Sequence, residues 1–482
     1  MLYRQKFDTF IRIYDNIGYI TNKSNFSDRV VSQSGAVFLS VLSREPQELD
    51  YLLGKITGEF INVDPEIIKA DAKEFYDMLV TDGFLVSGTT PHECEQEDTR
   101  FSYKALESKT VKKDFTPVIM RAQQTTQKFL EEHFKNKPKL MSLQIELTSK
   151  CNERCIHCYI PHENKKTDIS PELFFEILDQ CRELGVLNLT LSGGEPMMHK
   201  NFREFLHKCK EYDFSVNILS NLTLLDDSII AEMKANRLSS VQVSLYSLKP
   251  GIHDEITQLK GSFNKTMSGI KELLENDIPL QISCPTMKQN KNCYVDVINW
   301  AQEHKVRATT DYIMMAKYDG TTGNLCNRLS LDEVAKVIND IIENDTRYQD
   351  KMKTEDFEKT DDRDISNDIV CGVCISSICM VANGNVYPCA GWQSYIAGNV
   401  TKTPLREIWE NSEKVKYLRG LRKKDFPKCI KCPDRSFCAM CMVRNANEDP
   451  DGNPLKINDH FCKVARLNRN IVQDWKKIIN QN

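Results

Sequence analysis

The stretch SLQIELTSKCNERCIHCY, residues 142–159, decides the fold. Its first part, SLQIELT (142–148), alternates apolar and polar positions as a strand does, and it runs directly into Cys151, Cys155 and Cys158, spaced Cys-x3-Cys-x2-Cys. A cysteine loop at the C-terminal end of a strand lies where α/β sheets and barrels place their sites. The informative count is three thiols and not four. A structural zinc site or an electron-transfer cluster takes four protein ligands, whereas three leave one iron of a four-iron cluster open to a substrate or cofactor.

Outward from this strand the texture repeats. Strands are predicted at 187–192, 214–220, 240–246, 280–285 and 308–314, with helical patterns between them at 171–184, 200–211, 226–235, 264–276 and 294–303. Six strands alternating with helices predict an α/β fold whose parallel sheet curves into a partial (β/α)6, TIM-like barrel over residues 139–330. Upstream, residues 1–88 read as one compact unit. Short strands are expected around Tyr14–Ile20, helices at 34–42 and 48–56, and a third helix from the Asp64-Pro65 cap to Asp82, stopped by Gly83 before the closing strand Phe84-Leu85-Val86. Strands, three helices and a strand make a winged-helix-like pattern. Residues 89–138 form a polar linker with one helix at about 119–135, and residues 331–370 a bridging helix (331–345) followed by a charged segment. Residues 371–482 are the cysteine-rich end.

Composition narrows the function. A chain of 482 residues has room for about three domains. A net charge of −4 carries no nucleic-acid footprint, and on the third N-terminal helix Asp64, Glu66, Asp71, Glu74, Asp77 and Asp82 outnumber Lys69 and Lys73, the wrong sign for a phosphate backbone. No apolar run long enough to span a membrane occurs, and the start MLYRQKFDTFIRIYD interleaves charges where a secretory signal needs an apolar core. A cytoplasmic protein without nucleic-acid or membrane partners is expected. Eighteen cysteines in such a chain point to metal ligation, because a reducing compartment gives disulfides little reason to persist. Cys94, Cys181, Cys209, Cys284, Cys293 and Cys326 are scattered and read as small buried hydrophobes.

Cys151, Cys155 and Cys158 in their spacing resemble the signature of the radical S-adenosylmethionine (SAM) superfamily. The resemblance implies a cluster whose open iron is chelated by SAM, and cleavage of SAM to a 5′-deoxyadenosyl radical. It makes these cysteines the catalytic metal ligands and puts His157 beside the adenine. SGGEP (192–196) is similar to the family motif that binds the methionyl amine: Gly193 and Gly194 allow close backbone approach and Glu195 accepts from the ammonium. Ser220, Asn221 and Ser244, at or in later strands, resemble positions that meet the SAM ribose and carboxylate.

The tail reads Cys371-x2-Cys374-x4-Cys379-x9-Cys389, then Cys429-x2-Cys432-x5-Cys438-x2-Cys441, then Cys462. This resembles the SPASM extension of radical SAM peptide modifiers, with Gly384-Asn-Val-Tyr-Pro-Cys389 matching its Gly-x4-Cys element and Cys438-x2-Cys441 one residue short of the family spacing. The resemblance implies two auxiliary 4Fe-4S clusters, three clusters in all. Cys429, Cys432, Cys438 and Cys462 hold the outer one. Cys371, Cys389 and Cys441 hold the inner one, with Cys374 favoured over Cys379 as its fourth ligand. Paired Cys-x2-Cys units also suit zinc.

Residues 1–88 resemble the peptide-recognition domain of ribosomal peptide maturation systems, the fold of the PQQ-biosynthesis peptide chaperone, which captures a leader peptide by strand addition. The whole then looks like a peptide maturase of the sactipeptide or ranthipeptide type. It would install a cysteine thioether in a cysteine-containing precursor, supplied with electrons by a flavodoxin or ferredoxin. Carbon–carbon cross-linking and epimerisation are the neighbouring outcomes. Sulfatase-type oxidation is disfavoured, because Ala390 stands where those enzymes place an acidic base after the Gly-x4-Cys cysteine. From another class, a non-catalytic iron-sulfur scaffold or regulator is the alternative.

Overall fold

The computed structural model describes residues 1–106, 125–164, 166–344, 349–350, 352–353, 364–438 and 440–479. Its centre is a nine-stranded sheet. Strands β7 (Ser142–Thr148), β8 (Asn188–Gly193), β9 (Ser215–Ser220), β10 (Leu238–Ser244), β11 (Leu280–Pro285) and β12 (Arg307–Asp311) follow one another in parallel. Between them run α7 (Pro171–Glu183), α8 (Phe202–Glu211), α9 (Asp227–Ala235), α10 (Pro250–Thr257), α11 (Ser262–Glu275) and α12 (Tyr294–Glu303). The expected boundaries hold to within a few residues, and α10 is an addition. A helix of eight residues opened by Pro250 carries too few apolar positions for its period to stand out.

Alternation along β7 sends Leu143, Ile145 and Leu147 into the main core, leaving Gln144, Glu146 and Thr148 on the opposite, inner face. On its other edge β7 pairs in parallel with β13 (Ser377–Met380), which continues antiparallel into β14 (Asn385–Tyr387) and β15 (Gly398–Asn399). The cysteine-rich tail is thus sewn onto the barrel sheet through more than two hundred residues of intervening chain. Helix α13 (Leu331–Asn344) packs against the last helix, Asp459–Ile479.

The N-terminal unit has two small sheets. Strands β2 (Thr9–Tyr14), β3 (Ile17–Asn22) and β4 (Ser27–Ser32) form an antiparallel meander, while β1 (Leu2–Gln5) is flanked by β5 (Gln47–Glu48) and β6 (Leu85–Gly88). Helices α1 (Ser34–Ser40), α2 (Leu49–Gly54) and α3 (Pro65–Thr81) cover them, burying Tyr3, Ile20, Phe38, Leu52, Tyr76 and Leu79 in one core. Asp64 caps α3 by accepting from the Glu66 amide at 2.9 Å, with Pro65 at the first helical position. Both lysines of α3 are paired within the unit, Lys69 with Asp50 and Lys73 with Asp77, which leaves the helix acidic.

The unit reaches beyond residue 88. Helix α4 (Pro91–Gln96) buries Cys94, and Asp98 pairs with Arg4 at 2.6 Å while accepting from the Phe7 amide. Short α5 (Tyr103–Leu106) and then α6 (Thr125–His133) lead to the barrel; the start of the helix expected at 119–135 lies outside the described residues. Polarity hid these helices: one buried cysteine in TTPHECEQEDTR gives no period to read.

The unit docks on the N-terminal ends of the barrel strands. Arg12 donates to the carbonyls of Val186 at 3.0 Å and Asp213 at 2.6 Å, and Arg44 pairs with the Asp213 carboxylate at 2.6 Å. Val186 and Asp213 lie in the turns that enter β8 and β9. Replacing Asp213 by alanine leaves Arg12, Arg44 and nearby Arg237 without their shared counter-charge. The expected cost is about 2 kcal/mol of stability, read as a lower urea midpoint and as faster proteolysis between the unit and the barrel. An unchanged midpoint would mean that this joint does not hold the unit in place.

Candidate functional site

The cysteine loop leaves β7 at the C-terminal ends of the strands. Its shape is set by backbone hydrogen bonds to two neighbours. The Arg154 and Ile156 amides donate to the carbonyls of Thr257 and Ile256 in α10, each at 3.0 Å, and the Gly194 and Glu195 amides donate to Thr148 and Lys150, each at 2.8 Å. The second pair demands glycine. A Cβ on Gly194 would lie 2.2 Å from the Lys150 carbonyl oxygen, and one on Gly193 (φ 153°) equally close to that of Thr148. The two motifs 35 residues apart in the sequence therefore form a single backbone knot.

Within it the three thiols gather. Burial pushes the Cys155 thiol well up, followed by the negative neighbours Glu153, Cys158 and Cys151. All three cysteines remain partly accessible. Glu195 is 1% exposed and its carboxylate is held from three sides: Ser220 Oγ at 2.8 Å, the Asn221 amide at 2.8 Å and the Met197 amide at 3.1 Å. Burial raises it to about 7 against those hydrogen bonds, so an arriving ammonium restores its charge. Ser220 and Asn221, expected to meet SAM, act here as the donors that fix Glu195; Asn221 also donates to Asn152 of the cysteine loop at 3.0 Å, and Asn152 to Thr223 at 2.6 Å. His157 Nε2 lies 3.3 Å from the Tyr246 hydroxyl, the rings edge to face at 5.0 Å, and Ser244 lies near the same tyrosine. Tyr246, Asn152 and Thr223 are participants that sequence reading missed, since no spacing marks a tyrosine two residues past a strand.

These residues fit a cluster with SAM on its open iron: three soft thiol donors from one loop, a buried carboxylate for an ammonium, and a glycine cradle whose carbonyls and amides sit too close for any side chain. Among the described residues no three or more of His, Cys, Asp and Glu converge as tightly as one metal ion needs.

The tail thiols sort into two sets. Cys371 is pushed to about 11 by burial, with Cys441 and Cys389 as its charged neighbours; Cys374 goes to about 12 by burial, opposed by Arg419, with Cys371 and Cys389 nearby. The turn that presents Cys374 puts it at φ 59°, its amide donating to Ser377 and its carbonyl accepting from Arg419 Nε at 2.8 Å. Cys379 instead faces the barrel interior on β13, with Glu146 and Cys389 as its charged neighbours. In the second set, Cys438 is raised to about 11 by burial and neighbours Cys462, Cys429 and Cys432. Asp434 ties their loop to the last helix through Arg469 at 2.9 Å. A small cavity bordered by Cys429, Cys438, Cys441 and Cys462 joins the two sets.

Known proteins agree with this geometry. Residues 145–301 match the radical SAM superfamily and residues 371–433 the SPASM iron-sulfur cluster-binding domain. An AdoMet-dependent heme synthase of Methanosarcina barkeri is 26% identical over 333 residues, 64% of this chain and 92% of that one. The antilisterial bacteriocin subtilosin biosynthesis protein AlbA of Bacillus subtilis is 25% identical over 318 residues, 65% of this chain and 69% of AlbA. The crystal structure of Streptococcus suis SuiB bound to precursor peptide SuiA shares the fold with a TM-score of 0.62 at 16% identity, covering 96% of this chain and all of that one. No helix among the described residues is long and apolar enough to cross a membrane. Binding of 4Fe-4S clusters and SAM follows from the two domains, and the chain is a radical SAM enzyme with a C-terminal SPASM domain.

Proposed function

We propose that this enzyme is a maturase that installs cross-links, cysteine thioethers, in a ribosomally made precursor peptide. The observation that carries the reading is the N-terminal unit with its edge strand β4. Among the described residues β4 pairs only with β3, so one of its edges has no strand partner, and an extended leader peptide can add there with backbone hydrogen bonds. α3, beside it, presents Ile67 and Met78 at its surface.

The heme synthase relative favours a second reading, a tetrapyrrole substrate. That match covers 64% of the chain, whereas the likeness to the peptide-bound structure runs over 96% of it. The extent of the likeness supports a peptide.

The residue assignments follow. Cys151, Cys155 and Cys158 hold the SAM-binding cluster; Glu195, with Gly193, Gly194, Ser220, Asn221, Ser244 and His157, forms the SAM pocket. Cys429, Cys432, Cys438 and Cys462 hold the outer cluster. Cys371, Cys374, Cys389 and Cys441 hold the inner one, Cys374 being preferred to Cys379 because it neighbours both Cys371 and Cys389, whereas Cys379 neighbours Cys389 and Glu146. When bound, SAM and its cluster supply a carbon-centred radical that removes hydrogen from the peptide. The chain orients the peptide between that cluster and the inner one and excludes water. Reducing equivalents come from a flavodoxin- or ferredoxin-type donor in the cytoplasm.

Anaerobic incubation with reductant, SAM and the precursor should give a peptide lighter by a pair of hydrogens per cross-link, its cysteine resistant to alkylation. Incubation with iron-coproporphyrin should give no decarboxylated product. A decarboxylated porphyrin, or deuterium taken up by the peptide without loss of mass, would replace the reading with the heme-type or the epimerising alternative.

Metal content tests the ligand sets. Three clusters amount to about twelve irons per chain. Replacing Cys151, Cys155 and Cys158 by alanine should remove about four of these and abolish 5′-deoxyadenosine formation. A wild-type protein holding about four irons, or stoichiometric zinc, would overturn the assignment of the tail.

A further inference from the structure

Glu146 is a carboxylate that none of the motifs explains. It lies on the inner face of β7, 2% exposed, and accepts hydrogen bonds from Gln393 Nε2 at 2.8 Å and the Tyr159 hydroxyl at 3.4 Å. Tyr159 follows the last cysteine of the radical loop and Gln393 lies four residues past Cys389. The carboxylate therefore sits between the radical cysteine loop and the inner auxiliary set. The remaining titratable groups facing it are Cys379 from β13 and Tyr387 from β14. Among the described residues no cation pairs with it. A structural role is a poor explanation, since glutamine would keep both hydrogen bonds without the expense of a buried charge.

We propose that Glu146 is a catalytic base of this enzyme, receiving the proton that the peptide's cysteine thiol releases as its sulfur bonds to carbon. The inference rests on the cross-linking reading above. For each cross-link a C–H and an S–H bond of the peptide break and one S–C bond forms. The hydrogen atom leaves with the SAM-derived radical, the thiol proton goes to a Glu146 carboxylate oxygen, and one electron passes to an oxidised iron-sulfur cluster of the SPASM region. The surroundings suit this role. Burial lifts Glu146 to about 7, matched to a base working near neutrality. On the SPASM side Ala390 offers no carboxylate, and Gln393, a neutral side chain on a loop, can yield its place to the incoming thiol.

The test uses the full-length reconstituted enzyme, with a short cysteine-bearing precursor peptide that it binds and the Cys→Ala form of that peptide. Glu146→Gln should lower the cross-linking rate by about 10²- to 10⁴-fold and raise the number of 5′-deoxyadenosines formed per cross-link. The base acts only when ionised, so the wild-type rate should fall as pH drops below about 7, a limb that Glu146→Asp retains and Glu146→Gln loses. In binding measurements on unreacted enzyme, Cys→Ala in the peptide should weaken affinity for wild type and leave affinity for Glu146→Gln unchanged. Cross-linking by Glu146→Gln within about tenfold of wild type with the same pH profile would overturn the proposal. So would an equal loss of affinity in both proteins. A wild-type enzyme that yields no dehydrogenated peptide refutes the cross-linking reading instead, and the binding cycle still reports whether Glu146 meets the thiol.

Discussion

Strand β7 has parallel partners on both sides, and the site depends on that double pairing. On one edge β8 brings the glycine knot of Gly193 and Gly194 against the cysteine loop; on the other, β13 carries the tail into the same sheet. Parallel pairing cannot be made by a hairpin, so each edge requires a long crossover, and both join at seven residues, Ser142–Thr148. Moving β7 by one residue would turn Gln144, Glu146 and Thr148 outward and Leu143, Ile145 and Leu147 into the barrel, losing the core and the site together. The outward leucines and isoleucine, each buried to 0% exposure, make that slip prohibitive.

The second constraint is electrostatic. Two carboxylates, Glu146 and Glu195, are buried near the cysteine loop, and each is lifted to about 7 by desolvation. They are held differently. Two backbone amides and a hydroxyl point at Glu195, a fixed anion cradle. Glu146 has only an amide side chain and a phenol, both of which can turn away. The same residue type is preorganised in one place and left adaptable in the other.

Local signals were legible in the sequence, and long-range ones were not. The boundaries of β7 and β11 were readable to the residue because alternation and flanking breakers fall within one short window. The cysteine loop and SGGEP stood out because their chemistry is compressed into a few positions. Glu146 was invisible: within SLQIELT it reads as the polar half of an alternating strand, and its role emerges only when Gln393, 247 residues away, is brought beside it. Tyr246 was missed for the same reason, its partner His157 lying 89 residues upstream. The N-terminal unit was recognisable from helix spacing, but the pairing of β1 with β6 joins residues about 80 apart and no periodicity encodes it. Cys374 and Cys379 are equivalent as letters. Only the turn at Cys374 and the strand at Cys379 separate a thiol beside Cys371 and Cys389 from one beside Glu146 and Cys389 that faces the barrel interior.

The placement of the N-terminal unit also constrains any peptide substrate. Arg12 and Arg44 fasten it to the turns entering β8 and β9, at the opposite end of the barrel strands from the cysteine loop. A barrel strand of six or seven residues is about 20 Å long, and an extended chain advances about 3.3 Å per residue. A peptide held on β4 therefore needs at least about six extended residues merely to pass the sheet, and more to round its rim, before its reacting cysteine arrives. On the proposed reading, leader recognition at β4, on the unit docked at the opposite end of the barrel strands from the cysteine loop, sets which peptide arrives without dictating which of its residues reacts. That second choice falls to the groups between the clusters, Glu146, Tyr159 and Gln393 among them, which explains why a fold with a general-purpose radical source still needs polar residues of its own at that point.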